Sequence, residues 1–175
     1  AEEDEDAVTR APVVRMEDVN FDGVDDLVVI TAIGASNDFS EFYVWDGTQY
    51  VYVPHYGTVG GLANVTLDAA RGYVISSANN GYAGLLQEVS IYRWSGTTLQ
   101  LVRKLVSDTK SEWVQLDDGR SGVLYDNETI VASIRDYQTD TLEGELVWQK
   151  ECSLADADSG PDFDQEMTEA LWDGL

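Results

Sequence analysis

The chain holds one cysteine, one histidine and three prolines among 175 residues. A single cysteine forms no intramolecular disulfide, so no disulfide framework organises the fold. The neighbours of Cys152 are Glu151, Asp156 and Asp158, which supply no cation to activate a thiolate, and it reads as a structural residue. A lone His55 supports neither a catalytic triad nor a cluster of imidazole ligands. No nucleophile elbow, phosphate-binding loop or paired-cysteine zinc pattern occurs, and the chain is read as a non-enzyme. No run is long and apolar enough to span a bilayer, which argues against membrane insertion of this segment. Positive charge is also scarce. Ten Lys and Arg face 33 Asp and Glu, a formal net charge of −23. Such a surface repels phosphates and anionic headgroups, which excludes nucleic acid as a partner and favours cations and basic proteins.

What is present is β-forming sequence. Five Trp and nine Tyr sit in alternating runs, so this is not a disordered acidic segment. Leu27 to Thr31 reads as a buried strand. Phe42 to Trp45 and Tyr50 to Val53, joined through Asp46-Gly47-Thr48, predict a hairpin. Val89 to Trp94 and Leu99 to Val102, joined through Ser95-Gly96-Thr97, predict a second. Tyr43, Trp45, Gly47 and Thr48 recur as Tyr92, Trp94, Gly96 and Thr97, an offset of 49 residues. A strand pair precedes each hairpin, within 13–34 and 64–78, so the chain shows two four-strand units that look like propeller blades.

A weaker third unit follows. Trp113 to Leu116 precedes a turn at Asp117-Asp118-Gly119; Gly122 to Tyr125 and Thr129 to Ile134 predict a hairpin turning at Asp126-Asn127; Glu145 to Gln149 alternates like a last strand. The expected fold is all-β: an incomplete or rudimentary β-propeller, or a curled antiparallel sheet, of about three hairpin units with a short C-terminal helix. The chain divides into a flexible acidic leader over residues 1–11, a β domain over 12–153, and an acidic loop with a short helix over 154–175. Asp156 to Gly160 reads as the polar loop, and Phe163, Met167 and Leu171 mark a helical stripe that packs on the sheet. The chain opens at Ala1 with no initiator Met, which points to removal of a leading signal or anchor segment.

One loop carries distinctive chemistry. Asp18, Asn20 and Asp22 occupy loop positions 1, 3 and 5, Gly23 position 6, Val24 position 7 and Asp26 position 9. Calcium takes six to eight oxygens at roughly 2.3–2.6 Å, and alternate residues bent around a glycine can supply them. Val24 would contribute its backbone carbonyl and Asp26 would close the ring directly or through water. The alternative is an Asx-rich turn that needs no ion. The helix-flanked EF-hand is disfavoured, because position 12 is Val29, not Glu, and the loop runs into a strand.

An Asp at position 9 followed by a β-run resembles the calcium loops of integrin-α-type (FG-GAP) propeller blades. The stretch from Met16 to Leu27, with the Tyr-x-Trp-x-Gly hairpin after it, resembles a group of bacterial secreted or lipid-anchored domains. These are related to a calcium-binding periplasmic inhibitor of animal-type lysozyme. The resemblance covers about residues 12–105, and the metal loop is its one specific motif. It implies a rudimentary β-propeller, Ca2+ held by Asp18, Asn20, Asp22, Val24 and Asp26, and an extracytoplasmic location: secreted, periplasmic or lipid-anchored at the cell surface. The expected role is a binding module for a protein or glycan ligand, a basic protein such as a lysozyme among the candidates. Tyr50, Tyr52, Tyr56 and Tyr82 are the aromatic contacts expected. The alternatives are a structural spacer of an envelope protein and a calcium-dependent glycan hydrolase.

Overall fold

A computed structural model describes residues 13–54, 61–81, 84–115, 119–138, 143–159 and 162–175. The expected leader at 1–11, His55, Tyr56, Tyr82 and the turn residues Asp117 and Asp118 lie outside the described residues.

Alternation of apolar and polar residues builds two antiparallel sheets. The first contains β1 (Val13–Glu17), β2 (Asp26–Ile33), β3 (Asp38–Trp45) and β4 (Tyr50–Tyr52) in sequential order, with β5 (Leu62–Ala63) also on β3. The second contains β6 (Thr66–Asp68), β7 (Tyr73–Gly81), β8 (Leu86–Ser95), β9 (Thr98–Gln115), β10 (Ser121–Asp136) and β11 (Glu145–Ser153), again as a meander. Neither sheet closes. The two four-strand units therefore exist as β1–β4 and β6–β9. The third is not a separate unit: β10 pairs with β9 and β11 with β10, which extends β6–β9 into one six-stranded sheet.

The hairpin expected at Asp126-Asn127 is instead an irregularity inside one strand. The pairing of β10 with β9 slips between Asp126 and Ile130. Asp126 accepts hydrogen bonds from the Glu128 N–H at 3.0 Å and the Thr129 hydroxyl at 2.7 Å. These local bonds absorb the extra residues as a bulge, and the chain continues forward rather than reversing.

Two apolar layers result. Val28, Phe42, Val44 and Leu62 of the first sheet pack with Val74, Tyr92 and Leu99 of the second. The opposite face of the second sheet presents Tyr73, Ile91, Leu105, Ile130 and Ile134 to α2 (Asp162–Trp172). Phe163, Met167 and Leu171 of α2 are buried there, as their i, i+4, i+8 spacing requires. The second sheet is thus the middle layer, between the first sheet and the helix. Arg103 fastens the helix end. It ion-pairs with Asp136 and donates to the carbonyls of Leu171, at 3.1 Å, and Asp173, at 2.6 Å. No helix of the described residues is long and apolar enough to cross a membrane.

The polar loop expected at 156–160 is corrected: α1 spans Leu154–Ser159. Ser153 precedes it as a cap, accepting from the Asp156 N–H at 3.1 Å while its hydroxyl donates to the Asp156 carboxylate at 2.6 Å. A serine followed three residues later by an acid is a helix-start signature that the run of aspartates hides.

Candidate metal loop

The loop from Asp18 to Asp26 joins β1 to β2 and folds around its own side chains. Phe21 and Gly23 adopt left-handed backbone, with φ of 64° and 87°. Gly23 does so freely, whereas a bulky aromatic in this region is strained. Phe21 is held there by packing its ring against the layer between the sheets.

This curl turns the short side chains back onto the loop. Asp18 accepts from the N–H of Asp22 through Oδ1, at 3.0 Å, and from that of Gly23 through Oδ2, at 2.9 Å. Asn20 Oδ1 accepts from the Asp22 N–H at 3.1 Å, and Asn20 Nδ2 donates to Asp22 Oδ2 at 3.0 Å. Asp22 Oδ1 in turn accepts from the Val24 N–H at 2.8 Å. The structure therefore brings Asp18, Asn20 and Asp22 together with the backbone of Val24, whose side chain is exposed.

Asp26 has a different position. The strand alternation that exposes Asp25 buries Asp26 completely. Its Oδ2 accepts from the Val19 N–H at 3.2 Å and its Oδ1 from the Trp45 N–H at 2.8 Å. It makes no hydrogen bond to Asp18, Asn20 or Asp22. Burial pushes its pKa above the ordinary carboxylate range; the charges of Asp22 and Asp18 push the same way, and the two backbone bonds oppose the rise.

Val19 is wholly buried beside it, and its carbonyl accepts from the Trp94 indole N–H at 2.7 Å. The loop is thereby tied to β2, to β3 through Trp45, and to the second sheet through Trp94. Val19, Trp45 and Trp94 were not among the site residues that the loop spacing identifies. The 49-residue recurrence of Trp45 as Trp94 was the available signal, and the two tryptophans do meet the loop from different sheets. Trp45 supplies a backbone N–H, whereas Trp94 supplies its ring.

The arrangement has two chemical capacities. It is a nest of hard oxygens at one end of a sheet, the donor type that calcium takes. It is also a backbone latch, because Asp26 satisfies the buried N–H of Val19 in the loop and the part-buried N–H of Trp45 at the end of β3. Among the described residues, no three His, Cys, Asp or Glu side chains are grouped so as to hold an ion by themselves. Any ion here would have to draw on the Asn20 amide and on backbone or water oxygens as well. No family model matches the chain, and neither does any curated protein or solved structure.

Proposed function

We propose that the chain is a calcium-stabilised β domain that works outside the cytoplasm as a binding module for a protein or glycan, with no catalysis of its own. The observation that carries the calcium reading is the left-handed backbone at Phe21 and Gly23. It curls three oxygen-bearing side chains, from Asp18, Asn20 and Asp22, onto one short loop. Strain held at a non-glycine residue marks a backbone shaped for a purpose beyond turning. Ca2+ would draw on Asp18, Asn20 and Asp22, on the Val24 carbonyl, and on the lone pairs that Asp26 does not spend on Val19 and Trp45. Its role would be to fix the β1–β2 connection against both sheets.

A second reading rests on a different observation. Both oxygens of Asp18 and both of Asp26 already accept backbone N–H groups. In that reading the loop is an ion-free latch, and the domain is a spacer within a larger envelope assembly. The hydrolase alternative is the weakest. The carboxyl that burial raises is Asp26, and its oxygens are committed to the backbone.

Calorimetric titration of the chelator-treated chain with CaCl2 separates these readings. The calcium reading predicts saturable binding of one ion, lost in Asp22→Ala. Absence of binding at millimolar calcium leaves the ion-free latch. Inhibition of an animal lysozyme is one form the module would take, and lysis that is unchanged by micromolar chain removes that form.

A further inference from the structure

The outer face of the first sheet is apolar and aromatic, although the chain around it is strongly acidic. Register aligns Met16, Leu27, Tyr43 and Tyr52 in one row across β1, β2, β3 and β4. Trp45 and Tyr50 form the next row on one side, and Val14, Val29 and Glu41 the row on the other. The opposite face of the same strands carries Val28, Phe42 and Val44, which are buried against the second sheet. Among the described residues, strand alternation therefore leaves the outer row without a layer of its own. Val14 and Met16 are each 51% exposed, Tyr52 43% and Tyr50 37%. Soluble surfaces seldom expose a contiguous patch of this kind without a use for it.

The rings are arranged in two leaning pairs. Tyr43 and Tyr52 lie 5.4 Å apart at 56°, and Trp45 and Tyr50 lie 5.0 Å apart at 59°. Rings tilted against each other in this way do not form one flat plate. That geometry suits a compact cation with an aliphatic stem better than a sugar ring laid flat. Glu41 stands on the same face, one row from Tyr43, and no Lys or Arg of the described residues pairs with it. Burial, with the negative charge of Glu41 beside it, raises the Tyr52 pKa. Charge sign narrows the occupant further. A second copy would bring its own −23 and its own Glu41 against the face, and nucleic acid or anionic lipid would be repelled.

We propose that this face docks a cationic protein segment, seating a Lys or Arg head over the rings of Tyr43 and Tyr52, where Glu41 pairs with it, while Trp45 and Tyr50 extend the face for the rest of the segment. The inference rests on the binding-module reading and names its partner; it does not depend on the loop taking an ion.

The test is a calorimetric titration of the full chain with a capped peptide of alternating Arg and Leu, and with its citrulline counterpart, which has the same shape without the charge. The Arg peptide should bind more tightly, and added salt should weaken it. Tyr52→Ala and Glu41→Gln should each weaken it roughly threefold to thirtyfold, whereas Tyr52→Phe, which keeps the ring, should not. Glu145→Gln on β11 removes the same charge elsewhere and should leave affinity unchanged. Circular dichroism melts of each variant confirm that it is folded. Equal affinity for the citrulline peptide overturns the cationic partner. So does equal weakening by Glu145→Gln, which would mark general attraction to an acidic protein. Binding of a soluble oligosaccharide that Tyr52→Ala abolishes, with no peptide bound, keeps the module and overturns the partner. No binding of either probe overturns the module reading as well.

Discussion

At Asp26 a single carboxylate ties the 18–26 loop to the end of β3. Its oxygens stand in for main-chain carbonyls, one for the N–H of Val19 and one for that of Trp45. Removing both acceptors leaves the buried Val19 N–H and the part-buried Trp45 N–H without partners. Asp26→Ala should therefore destabilise the chain by roughly 2–4 kcal/mol in denaturant unfolding, in EDTA as well as in calcium. The raised pKa has its own signature. A carboxyl whose folded pKa lies above its unfolded value favours the protonated folded state, so it contributes stability at low pH that is lost as pH rises through the folded pKa. In EDTA, the stability of the wild-type chain relative to Asp26→Asn should fall across that interval and level off above it. A difference independent of pH would contradict this account of the site. Trp94→Phe keeps an aromatic side chain but removes the indole donor to Val19, and the lost hydrogen bond alone should cost roughly 1 kcal/mol. The alternate spacing of Asp18, Asn20, Asp22 and Asp26 was legible in the sequence. The burial of Asp26 against Trp45 was not, because it depends on β3 running past the end of β2.

The elements divide by whether their signals are local. Phe163, Met167 and Leu171 could be read as one helical stripe because the period of a helix is written in adjacent turns. Met167→Ala should cost roughly 2–5 kcal/mol, measured by chemical denaturation, because that side chain is almost wholly buried against the second sheet. The two aromatic hairpins were likewise legible from their Asp-Gly and Ser-Gly turns, where Gly47 and Gly96 take positive φ. What alternation could not give was the side on which each hairpin's aromatics fall. Tyr92 is buried between the sheets whereas Tyr43, its counterpart, faces outward, because the second sheet has a layer on each side. The start of α1 was present in the sequence as Ser153 and Asp156 but was masked by acidic composition. Ser153→Ala should cost about 1 kcal/mol and loosen that turn.

Across the described residues, the chain is an open pair of sheets with a helix on one side and an exposed aromatic face on the other. Curvature that a closed propeller would enforce by contact between blades is here set by a few cross-links. Asn64 Nδ2 donates to Ser36, Asn37 and Ser77, and Asn37 exchanges two bonds with Asn79. These lace one end of the sheet pair, and the 18–26 loop closes the other through Trp94. An ion at that loop would therefore act on the packing of both sheets and not on a local turn alone. A ligand at 100-fold over its dissociation constant adds about 2.7 kcal/mol to the folded state. Paired thermal melts in excess calcium and in EDTA put the central proposal to its most direct test. The melting temperature of the wild-type chain should be higher in calcium, and the two curves for Asp22→Ala should coincide. Coincident curves for the wild-type chain would contradict the proposal.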